Sequence, residues 1–163
     1  QCTPQSPNCL FCPLSGSCRA LSEGKVQQLP VKQHRTKTTN RYFNYIYVRM
    51  GAHTLIHKRT EDDIWKNLFE LPLVETEKDL SEEEFLACPQ FHALFAEGEV
   101  RMVRTLLRGV KHVLSHRVIY TNFYEVTLPD NSSSFSSYQR VAVEDLGRYA
   151  VPRLIHAFLE KYV

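Results

Sequence analysis

Four of the five cysteines in this chain fall within its first 18 residues, spaced Cys2-x6-Cys9-x2-Cys12-x5-Cys18. Thiolates this close in sequence can converge on one centre without a large fold to position them. Three chemistries fit that convergence. Disulfides would use the thiols in pairs, but no basic region followed by an apolar stretch marks the start as a secretory signal, and Cys88 is left over. A structural zinc ion takes four thiolates, usually from two short C-x2–4-C knuckles, and only one short pair is present here. An iron–sulfur cluster is the third reading, since four thiolates ligate many such clusters. The spacing alone leaves all three open.

A second constellation is Leu114-Ser115-His116, followed at once by Arg117. A hydroxyl accepts and donates, and an imidazole can do either, so the pair can address a polar edge. The same residues can simply make a tight turn between two strands. Charge surrounds them unevenly. Residues 101–117 carry Arg101, Arg104, Arg108, Lys111 and Arg117 with no acid, and residues 25–41 carry Lys25, Lys32, Arg35, Lys37 and Arg41 with none. Acids collect instead over residues 75–84. The net charge is only +2, so this asymmetry, not the total, suits a polyanion on one face.

These groups need elements to carry them. Residues 1–24, with Pro4, Pro7, Pro13 and Gly16 between the cysteines, have loop composition. Residues 25–39 are polar and basic and read as a linker. From residue 40 the texture changes. Residues 41–50 are rich in aromatic and β-branched side chains on both alternating faces, which predicts a strand in a sheet covered on both sides. Gly51-Ala52 turns into a second strand, 53–58, and 68–74 reads as one short extended piece after a polar loop at 59–67. Ser81-Glu82-Glu83-Glu84 matches a capping box and predicts a helix to about residue 87, with a second helical stretch from Pro89 to about Phe95. Strands are expected over 101–113 and 117–127, a loop over 130–134, and a last helix over about 152–162 with Leu154, Ile155, Phe158, Leu159 and Tyr162 on its apolar face. The fold class is therefore mixed α/β or α+β. Hydrophobic content of 43% and charged content of 23% are ordinary for a globular protein, and no run of 18 apolar residues predicts a membrane helix.

The cysteine spacing, with Cys12-Pro13-Leu14 inside it, resembles the cluster loop of the endonuclease III and MutY glycosylases. Lys58-Arg59, then Ile64-Trp65-Lys66-Asn67-Leu68-Phe69-Glu70-Leu71-Pro72, resembles the MutY segment that runs from an arginine through W-x-x-L-W/F-E-F/L-P. His112 to Arg117 resembles its H-x-F-S-H loop, with Leu114 where that family usually carries Phe, and residues 146–153 resemble its C-terminal L-x-x-Y-A-x-P segment. Order and spacing make the match, which covers most of the chain.

The resemblance implies the C-terminal part of a MutY-type adenine DNA glycosylase. It would comprise an iron–sulfur cluster loop (1–24), a basic interdomain linker (25–39) and a Nudix-like domain (40–163), a mixed β-sheet with flanking helices. It implies a 4Fe–4S cluster on Cys2, Cys9, Cys12 and Cys18, and recognition of 8-oxoguanine by Leu114, Ser115 and His116. Lys32, Arg35, Lys37, Arg41, Lys111 and Arg117 would hold the DNA backbone. The partner would be double-stranded DNA holding an A:8-oxoguanine mispair, met by a monomer in the bacterial cytoplasm, with no membrane involved. The family's catalytic groups lie N-terminal to Cys2, so no residue here takes a catalytic role. Trp65 is expected as a core anchor and His112 as a structural strand residue. Two competing readings are a Nudix pyrophosphatase and a zinc-binding interaction module. The first needs a G-x5-E-x7-R-E-x-x-E-E helix to hold Mg²⁺, and the acidic helix from Ser81 lacks its Gly, its Arg-Glu pair and its spacing. Metal analysis separates the second.

Overall fold

The computed structural model describes residues 2–3, 6–29 and 38–163. Lys32, Arg35 and Lys37 lie outside the described residues. The chain divides into two compact units, residues 1–37 and 38–163. The first is a string of turns with one short helix, α1 (Arg19–Ser22), and none of its described residues is buried.

The second unit is built on β1 (Thr39–Arg49), whose side chains alternate between two cores. Phe43, Tyr45 and Tyr47 enter one, and Ile46, Val48 and Met50 the other. That is the period-2 outcome of a strand with large residues at every position. β1 is central to a four-stranded sheet with β4 (Leu73–Thr76), β5 (Met102–Val113) and β6 (Arg117–Thr127), ordered β4-β1-β6-β5. β1 and β6 run parallel, in register from Thr39 with Arg117 to Arg49 with Thr127, and the other pairs are antiparallel. A smaller antiparallel sheet joins β3 (Phe69–Glu70), β2 (His53–Lys58) and β7 (Gln139–Ala142).

Helices cover each face of the larger sheet. α4 (Arg153–Tyr162) buries Leu154, Ile155 and Phe158, and Phe158 stacks on Phe123 of β6 at 4.1 Å. On the other face α2 (Glu82–Leu86) and α3 (Pro89–His92) insert Phe85 and Phe91, and Phe85 stacks on Tyr124 at 4.4 Å. Each such ring contributes about 1.5–3 kcal/mol by burial. The capping box at Ser81 forms: its hydroxyl accepts from the Glu84 N–H, and the Glu84 carboxylate accepts from the Ser81 N–H.

Two expectations are corrected and one strand is added. The piece read as 68–74 is two strands, because Pro72 cannot donate to a ladder. The second helical stretch ends at His92 rather than Phe95. β7 was not expected; it follows the serine-rich loop and opens with polar Gln139 and Arg140, but it pairs with β2 over four residues.

Candidate functional site

The β5–β6 hairpin ends at the pair Val113 and Val118. Beyond it the Leu114 N–H donates to the Arg117 carbonyl at 2.8 Å, which leaves Ser115 and His116 as an exposed two-residue loop. The Thr39 N–H donates to the His116 carbonyl at 3.1 Å and ties the loop to the start of β1. Leu114 is half-buried and packs against the core that holds Phe43 and Phe123, so its side chain is partly committed to the domain interior.

Facing this turn is the 59–67 loop. Two backbone hydrogen bonds close its mouth, from the Arg59 N–H to the Leu68 carbonyl at 2.9 Å and from the Asn67 N–H to the Arg59 carbonyl at 2.8 Å. The Arg59 side chain holds it from within, donating from Nε to the Ile64 carbonyl at 3.0 Å. Arg59 is 8% exposed, and its Nη1 donates to both oxygens of Glu70, which is 2% exposed, at 2.8 and 2.7 Å. The Tyr45 hydroxyl donates to the same carboxylate at 2.9 Å. Burial, and then the Glu70 charge, push the Tyr45 phenol well above its ordinary range. At the loop apex Trp65 takes φ 60° and Asn67 φ 69°, the left-handed region, which strains a tryptophan. Trp65 packs edge-on to Phe43 at 6.1 Å and against His112 at 5.8 Å, so it is an anchor on the core, and His112 is part of the same contact.

Residues 62–64 and 114–117 line a cleft of about 520 Å³ between loop and turn. Asp63 sits in its wall. One carboxylate oxygen accepts from Arg41 Nη1 at 2.6 Å and from Arg59 Nη2 at 3.2 Å; the other accepts from Arg117 Nη1. Burial alone would raise the Asp63 carboxyl, but hydrogen bonds from Arg41, the Ile64 N–H and Arg117 outweigh it and hold the group well below the usual carboxylate range. Arg41 also makes a two-pronged pair with Glu75, both contacts at 2.6 Å. Of the expected phosphate-holding residues, then, Arg41 and Arg117 are already matched by carboxylates of the chain, and Lys111 is exposed on β5. Asp63 was not singled out from the sequence. Arg59 is four residues away, but Arg41 and Arg117 lie 22 and 54 residues away and only folding gathers them.

In the first unit, Cys2, Cys9, Cys12 and Cys18 line one hollow, and all five cysteines are free thiols. Short turns order the last three: the Cys12 N–H donates to the Cys9 carbonyl at 3.2 Å, and the Ser15 N–H to the Cys12 carbonyl at 3.0 Å. As a donor set, four thiols suit an iron–sulfur cluster. Among the described residues no group of three His, Cys, Asp or Glu side chains is drawn together tightly enough for a single metal ion.

Residues 44–161 match the NUDIX domain model. The chain belongs to the Nudix domain family. Its fold agrees with that of solved relatives. The C-terminal domain of mouse MUTYH, in its complex with human PCNA, superposes with a TM-score of 0.60 at 14% identity, over 75% of this chain and 86% of that one. A MutT structure from a study of Aliivibrio salmonicida and Vibrio cholerae gives 0.53 at 16% identity, over 76% of this chain and 96% of that one. Among curated proteins, the adenine DNA glycosylase of Buchnera aphidicola from Schizaphis graminum is 33% identical over 75 residues, 46% of this chain and 22% of that protein. The glycosylase of Buchnera aphidicola from Acyrthosiphon pisum is 24% identical over 99% of this chain and 44% of that protein. The chain therefore spans less than half the length of the curated relatives it matches. With the motif resemblance, this Nudix-like domain is similar to the C-terminal part of MutY-type enzymes. No helix among the described residues is long and apolar enough to cross a membrane.

Proposed function

We propose that this chain is the lesion-reading part of an adenine DNA glycosylase that removes adenine paired with 8-oxoguanine. One observation carries the reading. The Ser115–His116 loop stands exposed at the edge of an open cleft, on a framework whose relatives are adenine DNA glycosylases. Guanine presents an acceptor at N7. Its oxidised form presents an N7–H donor and an O8 acceptor instead. The Ser115 hydroxyl accepts from that N–H and donates to that oxygen, so it separates the two bases by polarity, not by size. His116, beside it, meets the same base or the next phosphate. Leu114 supports the turn from the core side and leaves little apolar surface for a wedge between bases.

Exposed Lys111 and Arg101 supply phosphate contacts, which give salt-dependent affinity without sequence information, whereas Arg104 is paired with Glu125. A phosphate reaching Arg41 or Arg117 would have to displace Glu75 or Asp63. Cys2, Cys9, Cys12 and Cys18 would hold a 4Fe–4S cluster, which would fix the cysteine segment as a structural unit. The chain by itself neither releases adenine nor hydrolyses a nucleoside triphosphate, because it has no Nudix box to hold Mg²⁺ and the family's glycosylase acid and carboxylate lie outside it.

The test is a titration of full-length protein with two duplexes at one salt concentration, one with an A:8-oxoguanine pair and one with A:G. Tighter binding to the oxidised duplex is expected. Equal binding overturns the reading, as does turnover of 8-oxo-dGTP abolished by substitutions in this chain.

A further inference from the structure

The recognition turn is held from both sides by a single loop. His112, two residues before Leu114, lies against Trp65 at 5.8 Å. Arg117, directly after His116, is bonded to Asp63. Trp65 and Asp63 are themselves two residues apart, in a loop whose mouth is shut by backbone hydrogen bonds and whose interior is tied to the buried Arg59–Glu70 pair. The Asp63 carboxylate, 22% exposed, is shared by three guanidinium groups from three separate places: Arg41 on β1, Arg59 after β2, and Arg117 at the start of β6. Asp62 next to it is 98% exposed and, among the described residues, pairs only with Lys66 at 3.2 Å, so the adjacent carboxylates have different tasks.

The geometry points to Asp63 as a positioning residue that sets lesion specificity by occupying Arg117. This rests on the reading of Ser115–His116 as the lesion contact. Arg117 adjoins that pair on an otherwise basic strand end, and its side chain is 36% exposed. Left free, it would take any phosphate within reach and add affinity that does not distinguish one base from another. Held by Asp63, it cannot do so without breaking a charge-assisted hydrogen bond, and it fixes the C-terminal end of the turn while Trp65 fixes the N-terminal end. Asp63 therefore lowers general DNA affinity and keeps Ser115 placed for the oxidised edge.

The experiment measures affinity of full-length protein for A:8-oxoguanine and A:G duplexes across a salt series, for wild type, Asp63→Asn, Arg117→Ala and the double variant. Asp63→Asn should bind the A:G duplex several-fold more tightly, lose most of the lesion preference, and steepen the slope of log affinity against log salt by about one unit, the value of one added phosphate contact. The double variant should lose both the gain in A:G affinity and the added slope, because Asp63 acts through Arg117. Arg117→Ala keeps the Asp63 pairs with Arg41 and Arg59, so it tests the idea even if Asp63→Asn folds poorly. It should reduce lesion preference while leaving A:G affinity and slope near wild type. If Arg117→Ala instead weakens both duplexes equally and flattens the slope, Arg117 is a phosphate contact and the inference is wrong. The same holds if Asp63→Asn keeps wild-type preference and slope. A wild-type protein without lesion preference defeats the reading of the turn itself, and this inference with it.

Discussion

In the cysteine segment none of the described residues is buried, and Leu10, Phe11 and Leu14 are 93, 77 and 67% exposed; in the sheet domain Phe43, Phe85 and Phe123 are 0% exposed, and even the ion pair Arg59–Glu70 is 8 and 2% exposed. The two regions hold their polar groups by opposite means. Four thiols come together around a hollow on a run of turns, with no buried side chain behind them among the described residues, so on the proposed reading a bound group would supply the order. Ser115 and His116 are placed by a hairpin braced on two cores, and need no ligand to be in position. Function in the first region should depend on what is bound. In the second it should depend on packing and on a few well-chosen ion pairs.

The largest effect should come from breaking that difference at the thiols. Cys12→Ser in full-length protein purified without oxygen should take iron from about four atoms per chain to nearly none. The unfolding midpoint of the sheet domain should stay where it was. Stoichiometric zinc in the wild type would make the segment a zinc site, and a shifted midpoint would mean the two regions are not stabilised separately.

Glu70→Ala should be nearly as severe, by the opposite mechanism. It takes from the buried Arg59 guanidinium the carboxylate that both Nη1 contacts reach, leaving it the 3.2 Å contact with Asp63, and it takes the acceptor from Tyr45. Removing one partner of a buried pair costs about 3–5 kcal/mol, a large share of the roughly 5–15 kcal/mol that stabilises a domain. Urea unfolding measures it. A loss under about 1 kcal/mol would show that the pair is better solvated than its burial indicates.

A smaller effect concerns the loop before β7. The Ser132 and Ser134 hydroxyls and the Ser133 N–H hold the Glu99 carboxyl down to about 2. A depressed carboxyl stabilises above its unfolded value and stops doing so as pH falls through the folded one. The order of the 132–134 loop should thus persist at pH 5 and fade between about 4.5 and about 2. Amide exchange at Ser133 across that range reads it. Protection unchanged at pH 2 would contradict the contact.

Much of this was legible in the sequence because it is local. The alternation in residues 42–48 told that β1 is covered on both faces, the Ser81 capping box placed α2, and the apolar stripe from Leu154 to Tyr162 placed α4. What escaped is non-local. β7 is polar at its start and exists because β2 offers it an edge. Arg41 looked like a free cation because Glu75 and Asp63 are 34 and 22 residues away. Asn122 of β6 donates to Asn44 and to Asp79 and accepts from the Gly109 N–H, where β5 departs from regular pairing, and none of these partners is near it in sequence. Asp63 belongs to the same class. The turn itself was visible, but the brace behind it was not.

The most direct test of the central claim is the ratio of affinities for A:8-oxoguanine and A:G duplexes, measured on full-length protein with Ser115 and His116 intact, singly and doubly replaced by Ala. Ser115→Ala removes one neutral hydrogen-bonding group, worth about 0.5–1.5 kcal/mol, which is up to about tenfold in affinity. The account predicts that this loss falls on the oxidised duplex, that A:G binding changes little, and that the double variant loses more of the ratio than either single one. A double variant that keeps the full wild-type ratio would contradict it, and would make the Ser115–His116 loop a structural turn.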